Sequence, residues 1–424
     1  MTQAEQAHKN KITPVMKQVA DAEGIEYRDI KRLVAAGKVV IPQNRKHIIK
    51  HPCGIGYKLR TKVNANIGTS TDASQTQQEL DKLKVCVKHG ADTVMDLSVG
   101  GDIPHIRRQI LAYSPLPVGT VPVYEIAVNA ARQKGDFLDF NEDDILQVLE
   151  HQARDGVDFF TIHAGVTRRT VKALEKHRRI MEIVSRGGAM LAAWMSRHGK
   201  ENPFYELFDH ILDIAYKYDV TLSLGDGLRP GSIFDATDEA QLCELRLLGE
   251  LAHACRRRRV QVMIEGPGHV PFDQIEHNIR LQKRLCDGIP FYVLGPLVTD
   301  VASGYDHISA AIGGTLAASA GADFLCYVTP AEHLRLPSLH DVREGVVATR
   351  IAAHAADIVK RIPSAIKWDT RMSAARKARD WKEQIRLSVD PDKAHDYRSS
   401  SSSRDSDVCT MCGDYCSIKL MSGE

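Results

Sequence analysis

The stretch that decides the fold runs from Val220 to Glu265. It reads as an apolar run, Val220-Thr-Leu-Ser-Leu-Gly225, a glycine-rich turn, Asp226-Gly-Leu-Arg-Pro-Gly231, an amphipathic segment, Glu239–Arg257, and a second apolar run, Val260-Gln-Val-Met-Ile-Glu265. A short run, a loop and a helix-length segment leading to another short run make one turn of a parallel β/α winding. The alternation extends in both directions. Further runs lie at Lys62–Asn66, Asp92–Leu97, Val118–Pro122, Val157–His163, Ile180–Ser185, Phe291–Gly295 and Phe324–Val328, separated by amphipathic segments such as Gln77–His89, Glu142–Arg154 and Pro203–Tyr218. So many units in series favour a closed (β/α)8 barrel of TIM type over an open doubly wound sheet. There are more runs than the eight positions of a barrel, and the expectation is that the first eight fill them.

Around this barrel, residues 61–345, the reading places an N-terminal cap domain at 1–60, C-terminal helices at 346–397 and a linker with a cysteine-bearing tail at 398–424. In the cap, Thr13-Pro14 reads as a helix start and Val39–Pro42 as extended. Helices are expected from about Gly345 to Lys360 and over 373–388, with Asp390-Pro391-Asp392 ending that region. Arg398-Ser-Ser-Ser-Ser-Ser-Arg404 reads as a flexible linker.

Composition excludes several classes. Apolar residues are 43% of the 424, ample for a large core, and the net charge of only +2 gives no electrostatic case for nucleic acid. The Arg256–Arg259 run closes an amphipathic segment and reads as a solvated face. No run of about eighteen apolar residues is present, and Met1-Thr-Gln-Ala-Glu-Gln lacks the form of a signal peptide. The expectation is a soluble, cytoplasmic protein with no membrane partner. Nine cysteines in a chain this long are no disulfide framework. Cys86, Cys243, Cys255, Cys286 and Cys326 lie in apolar or helical surroundings and read as buried thiols.

The exception is Cys409-Thr-Met-Cys412-Gly-Asp-Tyr-Cys416. Three thiolates this close, with no fourth nearby, suit an iron–sulfur cluster that leaves one iron free of protein. A partial zinc knuckle or unligated surface thiols are the alternatives. A cluster-bearing tail on a tether must dock over something, and the barrel mouth is the obvious place.

Active sites of such barrels form at the C-terminal ends of the strands. Here those ends carry Asn64-Ala-Asn66-Ile-Gly68, Met95-Asp96-Leu-Ser98, Pro122-Val-Tyr124, His163-Ala-Gly165, Ser185-Arg186-Gly187-Gly188, Asp226-Gly227-Leu228-Arg229 and Glu265-Gly-Pro-Gly-His269. Turn chemistry explains any one of these but not the whole set. Arg186 and Arg229 beside glycines suit an anionic, phosphate-like group, or else make structural salt bridges. His269 and His333, each near proline, form a candidate metal pair or are simply satisfied polar residues. His163 and Tyr124 suit hydrogen bonding or acid–base work. The Asp306-His307 dyad has no assignable role.

Taken together, these motifs, with Gly304-Tyr-Asp-His-Ile and Cys326-Tyr-Val-Thr-Pro-x-Glu-His333, resemble the thiamine pyrimidine synthase (phosphomethylpyrimidine synthase) family in its short form, from about residue 10 to the end. The resemblance implies a noncanonical radical S-adenosylmethionine enzyme acting on 5-aminoimidazole ribonucleotide. It assigns substrate contacts to Asn66, Met95, Tyr124, His163, Ser185, Arg186, Gly187, Asp226, Gly227, Leu228, Arg229, Glu265 and Tyr292. It assigns zinc, or another divalent metal, to His269 and His333, and a [4Fe-4S] cluster to Cys409, Cys412 and Cys416. It also implies a flavodoxin- or ferredoxin-type electron donor and a homodimer in which each tail reaches the partner's barrel. A cluster with one open iron chelates S-adenosylmethionine, and one electron then releases a 5′-deoxyadenosyl radical. Two branches share the substrate, one making the thiamine pyrimidine phosphate and the other 5-hydroxybenzimidazole for cobalamin. Val99, Glu125, Phe234, Ser303 and the one-residue-shorter gap before Cys416 depart from the thiamine pattern. The sequence reading therefore favours 5-hydroxybenzimidazole, with the pyrimidine phosphate as the alternative.

Overall fold

Eight short, almost wholly buried strands close on themselves: β1 (Lys62–Ile67), β2 (Thr93–Asp96), β3 (Val118–Thr120), β4 (Phe159–Ile162), β5 (Thr221–Leu224), β6 (Val262–Gly266), β7 (Phe291–Leu294) and β8 (Phe324–Cys326). All pair in parallel and in sequence order, with β8 beside β1. This computed structural model describes residues 1–174, 178–401 and 407–422. The helices between strands pack their apolar sides on the barrel, as the alternating pattern requires. Polar groups inside the strands satisfy one another; the Thr93 hydroxyl, for example, donates to Asn64 Oδ1 at 2.7 Å.

The barrel does not consist of the first eight runs. Ile180–Ser185 lies outside it, and Phe324–Cys326 closes it. Ile180 and Met181 expose their side chains, and both of their amides donate to the Asp235 carboxylate at 2.8 Å instead of to a strand. Ser185 then caps the helix Arg186–His198, accepting from Gly188 N–H. The β8 run has partners on both sides, β7 and β1, and Phe324 stacks on Tyr292 with ring centroids 4.2 Å apart.

The chain divides into two compact units, Met1–Ala356 and Asp357–Glu424. In the first, three helices (Gln3–His8, Pro14–Glu23, Tyr27–Ala35) and a short pairing of Val39–Val40 with Ile55–Gly56 build a satellite core around Met16, Val19, Ile30 and Leu33. Thr13 caps the second helix as its sequence predicts, accepting from Met16 N–H at 3.1 Å. The following segment straps the N-terminal side of the barrel. Asn44 N–H donates to Asp158 at 2.8 Å, His47 Nδ1 lies 2.7 Å from the same carboxylate, and Gln261 bonds the backbone of Ile41 at both ends.

In the second unit, Asp390-Pro391-Asp392 begins a helix instead of ending one. Asp390 accepts from Lys393 N–H, and Pro391, which has no amide hydrogen to lose, takes the first turn of Pro391–Ser399. The helix expected over 373–388 is two, Pro363–Lys377 and Trp381–Leu387, broken at Arg379, whose φ is 56°. Of the serine-rich segment, Arg398 and Ser399 finish a helix, and residues 402–406 lie outside the described residues. Among the described residues, no helix is long and apolar enough to cross a membrane.

Candidate active site

All eight strands, or the turns that follow them, send a residue to one cavity with about 500 Å³ of empty space at the C-terminal mouth. β1 supplies Asn66, β2 Met95, the first turn of the helix after β3 (Pro122–Lys134) Tyr124, β4 and its following turn Thr161 and His163, the loop after β5 Asp226 and Arg229, β6 Glu265, β7 Tyr292, and β8 Cys326. Eight of the thirteen predicted substrate residues therefore meet here.

The floor is held by cross-strand hydrogen bonds. Thr161 and Ser223 both donate to Glu265 Oε1, at 2.8 and 2.6 Å, leaving the other carboxylate oxygen for the cavity. Asn64 donates to Asn66 Oδ1 at 2.8 Å, which turns the Asn66 amide so that Nδ2 donates to Cys326 Sγ at 3.2 Å. Cys326 is buried, as its sequence suggested, yet it belongs to the cavity wall, and burial pushes its thiol up to about 11.

Two groups have unusual protonation. Burial, reinforced by the Arg229 charge, holds His163 down to about 3, so its imidazole is neutral. Its Nε2 lies 3.2 Å from the Ser185 hydroxyl, and its buried Nδ1 has no hydrogen-bond partner among the described residues. A Cβ on Gly187 would overlap that ring, so the glycine is required by close approach. Burial pushes the Asp226 carboxyl up to about 8, with Arg229 opposing the rise and Glu265 adding to it. Asp226 Oδ1 faces Arg229 Nη1 at 3.2 Å, and Oδ2 is buried without a partner among the described residues. A carboxyl that is neutral near pH 7 is a hydrogen-bond donor or a proton source.

Ser185, Arg186 and Gly187 sit beside the cavity at a helix N-terminus, where unpaired amides and the helix dipole favour an anion. The Arg186 guanidinium stands 5.0 Å over the Tyr124 ring and lines an adjoining space of about 1240 Å³ that shares Asn66 and Leu97. Gly227 and Leu228 act through the backbone. Leu228 is fully buried, and a Cβ on Gly227 would overlap Val166.

Two residues that hold this loop were missed from sequence. Glu244 Oε2 accepts from Leu228 N–H at 2.8 Å, and Arg179, paired with Asp238, donates to Leu228 O at 2.7 Å. Glu244 is 1% exposed on the helix Glu239–Arg257. A glutamate among Cys243, Leu245, Leu247 and Leu248 was the available signal.

His269 and His333 do come together, with ring centroids 5.4 Å apart. His269 Nδ1 lies 2.8 Å from Asp300, and His333 Nδ1 lies 3.3 Å from Asp306, which gives the unassigned Asp306 a role. A carboxylate behind each Nδ1 leaves each Nε2 for a cation, which is how metal-binding histidines are oriented. Among the described residues no cluster of three or more metal-ligating side chains forms; His269 and His333 are the pair that would hold a cation here.

In the second unit, Arg398 stacks on Trp381 at 4.1 Å and donates to Val408 O, while Trp381 Nε1 donates to Asp407 O. The cysteine segment is thus fastened to its own helices. Cys412 is exposed and Cys409 partly so. The backbone amides of Cys412 and Met411 draw the Cys409 thiol below its ordinary value, as suits a thiolate ligand.

The side chains that depart from the thiamine pattern do not line the cavity. Phe234 is 79% exposed. Ser303 is exposed as well. Glu125 is buried behind the barrel wall against Arg107 and Gln152. Val99 borders only the adjoining space.

Compared with known proteins, residues 2–423 match the radical SAM ThiC family. The phosphomethylpyrimidine synthase of Desulforamulus reducens is 57% identical over 421 residues, covering 99% of this chain and 98% of that protein. The phosphomethylpyrimidine synthase of Moorella thermoacetica is 56% identical with the same coverage. Among solved structures, a dihydropteroate synthase from Coxiella burnetii in complex with pteroic acid covers 72% of this chain and 96% of that one, at 13% identity and a TM-score of 0.41.

Proposed function

Because the chain belongs to the radical SAM ThiC family, we propose that it is a phosphomethylpyrimidine synthase. It rearranges 5-aminoimidazole ribonucleotide into 4-amino-5-hydroxymethyl-2-methylpyrimidine phosphate for thiamine. Support comes from relatives of that name at 55–57% identity over nearly their full length. The observation that carries the site is the cavity flanked by Arg186, Arg229 and a helix N-terminus, which matches a phosphorylated substrate. The 5-hydroxybenzimidazole reading has no support among these relatives, and of the side-chain departures that favoured it only Val99 comes near, bordering the adjoining space.

In this reading Arg186, Arg229 and the Ser185–Gly187 amides hold the phosphate. Asn66, Met95, Tyr124 and Tyr292 enclose the ring system, while Gly227 and Leu228 present backbone to it. His163, neutral at every ordinary pH, accepts or donates one hydrogen bond without adding charge. Asp226 supplies a proton or a donor to the substrate, and the free oxygen of Glu265 accepts one. Enclosure by eight strands keeps water from a reactive carbon centre and holds the C–H in line. The tail thiols Cys409, Cys412 and Cys416 would hold a [4Fe-4S] cluster, and His269 and His333 a divalent metal such as zinc. The chemistry a cluster with an open iron supplies is one-electron cleavage of S-adenosylmethionine. A homodimer in which each tail serves the partner's barrel, fed by a flavodoxin- or ferredoxin-type donor, completes the proposal.

The test is product identification after anaerobic reconstitution with iron, sulfide, dithionite, S-adenosylmethionine and 5-aminoimidazole ribonucleotide. A phosphorylated pyrimidine is expected, together with 5′-deoxyadenosine. A fluorescent hydroxybenzimidazole without phosphate would reverse the choice of product, and absence of 5′-deoxyadenosine would overturn the enzyme class.

A further inference from the structure

A second cavity, with about 1070 Å³ of empty space, lies at the other end of the barrel strands, where Val260–Val262 lead into β6. It is walled by the helix Gln3–His8, the segment from Val34 to Val40 and the C-terminal end of the helix Glu239–Arg257. Val39, Val40, Val260 and Val262 line it from below, each no more than 2% exposed. Its rim carries three guanidiniums, Arg256, Arg257 and Arg259. The four-arginine run is thus only in part the solvated face that its sequence suggests.

The rim is not neutralised from within. Asp287 is its one carboxylate among the described residues, 3.6 Å from Arg256 and 3.8 Å from His253, and 58% exposed at its side chain. Arg259 donates to His8 Nε2 at 2.6 Å, and the other nitrogen of that imidazole is engaged by Ala4 O at 2.8 Å. Among the described residues neither Arg257 nor Arg259 has a carboxylate partner, whereas Arg107, Arg179 and Arg258 all do. Lys38, over Gly288, is pushed below its ordinary value by burial and by Arg256. The backbone is strained at the same place: Arg259 has φ 58°, with its carbonyl accepting from the Thr2 hydroxyl at 2.6 Å. Uncompensated like charges and a strained non-glycine residue both cost stability, and such costs gather at functional sites. In a chain of net charge +2 the excess is local, so it does not reflect a generally basic surface.

We propose that this cavity is a second ligand site, separate from the barrel mouth, for a small phosphorylated organic compound. The guanidiniums of Arg256, Arg257 and Arg259 meet the phosphate in charge-assisted hydrogen bonds. The space exceeds what a bare phosphate fills, which leaves room for the organic part.

Adenosine 5′-monophosphate is the probe, titrated calorimetrically into the full-length protein, with hydrogen exchange to locate it. The expected result is saturable binding with protection over residues 34–40 and 253–262. Affinity should fall roughly tenfold or more in Arg257→Ser/Arg259→Ser, about one charge-assisted contact, and stay unchanged in Arg229→Ala. Should the double variant fold poorly because Arg259 also ties the N-terminal helix, Arg257→Ser alone, at an exposed side chain, is expected to weaken binding severalfold. Binding lost in Arg229→Ala but kept in the rim variants would put the nucleotide at the barrel mouth and overturn the proposal. Absence of binding at millimolar nucleotide would do the same, as would equal affinity for inorganic phosphate, which would remove the organic part.

Discussion

Asp226 and His163 show how burial alone can set chemistry one residue at a time. The Asp226 carboxyl, raised to about 8, stays neutral at pH 7. Its contribution to stability is complete below the unfolded value near about 4 and is lost progressively as pH rises to about 8. The unfolding free energy should therefore fall by about 1 kcal/mol for each tenfold drop in proton concentration between about pH 5 and pH 8, and level off beyond. Asp226→Asn, which cannot ionise, should flatten part of that fall in denaturant titrations, and an unchanged slope would refute the assignment. Gly187 matters because of what it lacks. Gly187→Ala would drive a methyl into the His163 ring, and overpacking of this kind costs about 1–3 kcal/mol. A lower Tm together with weakened substrate binding is expected, measurable by calorimetry and titration. Neither residue was difficult to nominate from sequence, since both stand at strand ends in conspicuous motifs. Their protonation and clearance were not legible, because those depend on neighbours such as Arg229 and Ser185 that only the closed barrel brings near.

At the scale of elements, the loop after β5 is held from two sides. Arg179 takes its carbonyls and Glu244 its amide. Arg179→Ala should raise KM for the phosphorylated substrate about tenfold while changing kcat less, because it releases the loop that bears Arg229 without touching substrate. Equal losses in both constants would argue against a positioning role. The strap over the N-terminal side is a second such element. His47→Ala leaves Asp158 buried without its imidazole, a loss of about 3 kcal/mol by the usual cost of breaking a buried pair. Burial pulls His47 down, but the hydrogen bond to Asp158, the charge of that carboxylate and hydrogen bonds to the backbone of Leu111 and Ser114 together raise it above its ordinary value. Its contribution is thus fully present below about pH 6.5 and fades as pH rises through the raised value, so the gap between variant and wild type should narrow in alkaline buffer. The strands were legible because buried parallel strands are nearly continuous apolar runs. That same property made Ile180–Ser185 look like one. Apolar composition does not reveal that two of its amides are taken by Asp235, whereas Phe324–Cys326 closes the barrel because it finds partners on both edges.

For the whole molecule, the proposed exchange of tails makes a test that needs no structure of the dimer. Mixing Cys412→Ala with Arg229→Ala, each inactive alone, should restore about a quarter of wild-type activity, since about half the dimers are mixed and each has one intact pairing. Lack of recovery, with exchange of subunits verified, would mean that each tail serves its own barrel. The family was legible in the motif set, whereas the product was not, because the departing positions had to be located before their weight was known. The cavity floor has one more consequence. Thr161 on β4 and Ser223 on β5 both donate to Glu265 on β6, and Asn66 on β1 reaches across to Cys326 on β8. Every seam between neighbouring strands near these bonds is therefore a poor recombination point. Chimeras with a relative about half identical should survive when the crossover falls in the outer helices, and should lose the site when it parts β4 from β6 with mismatched donors.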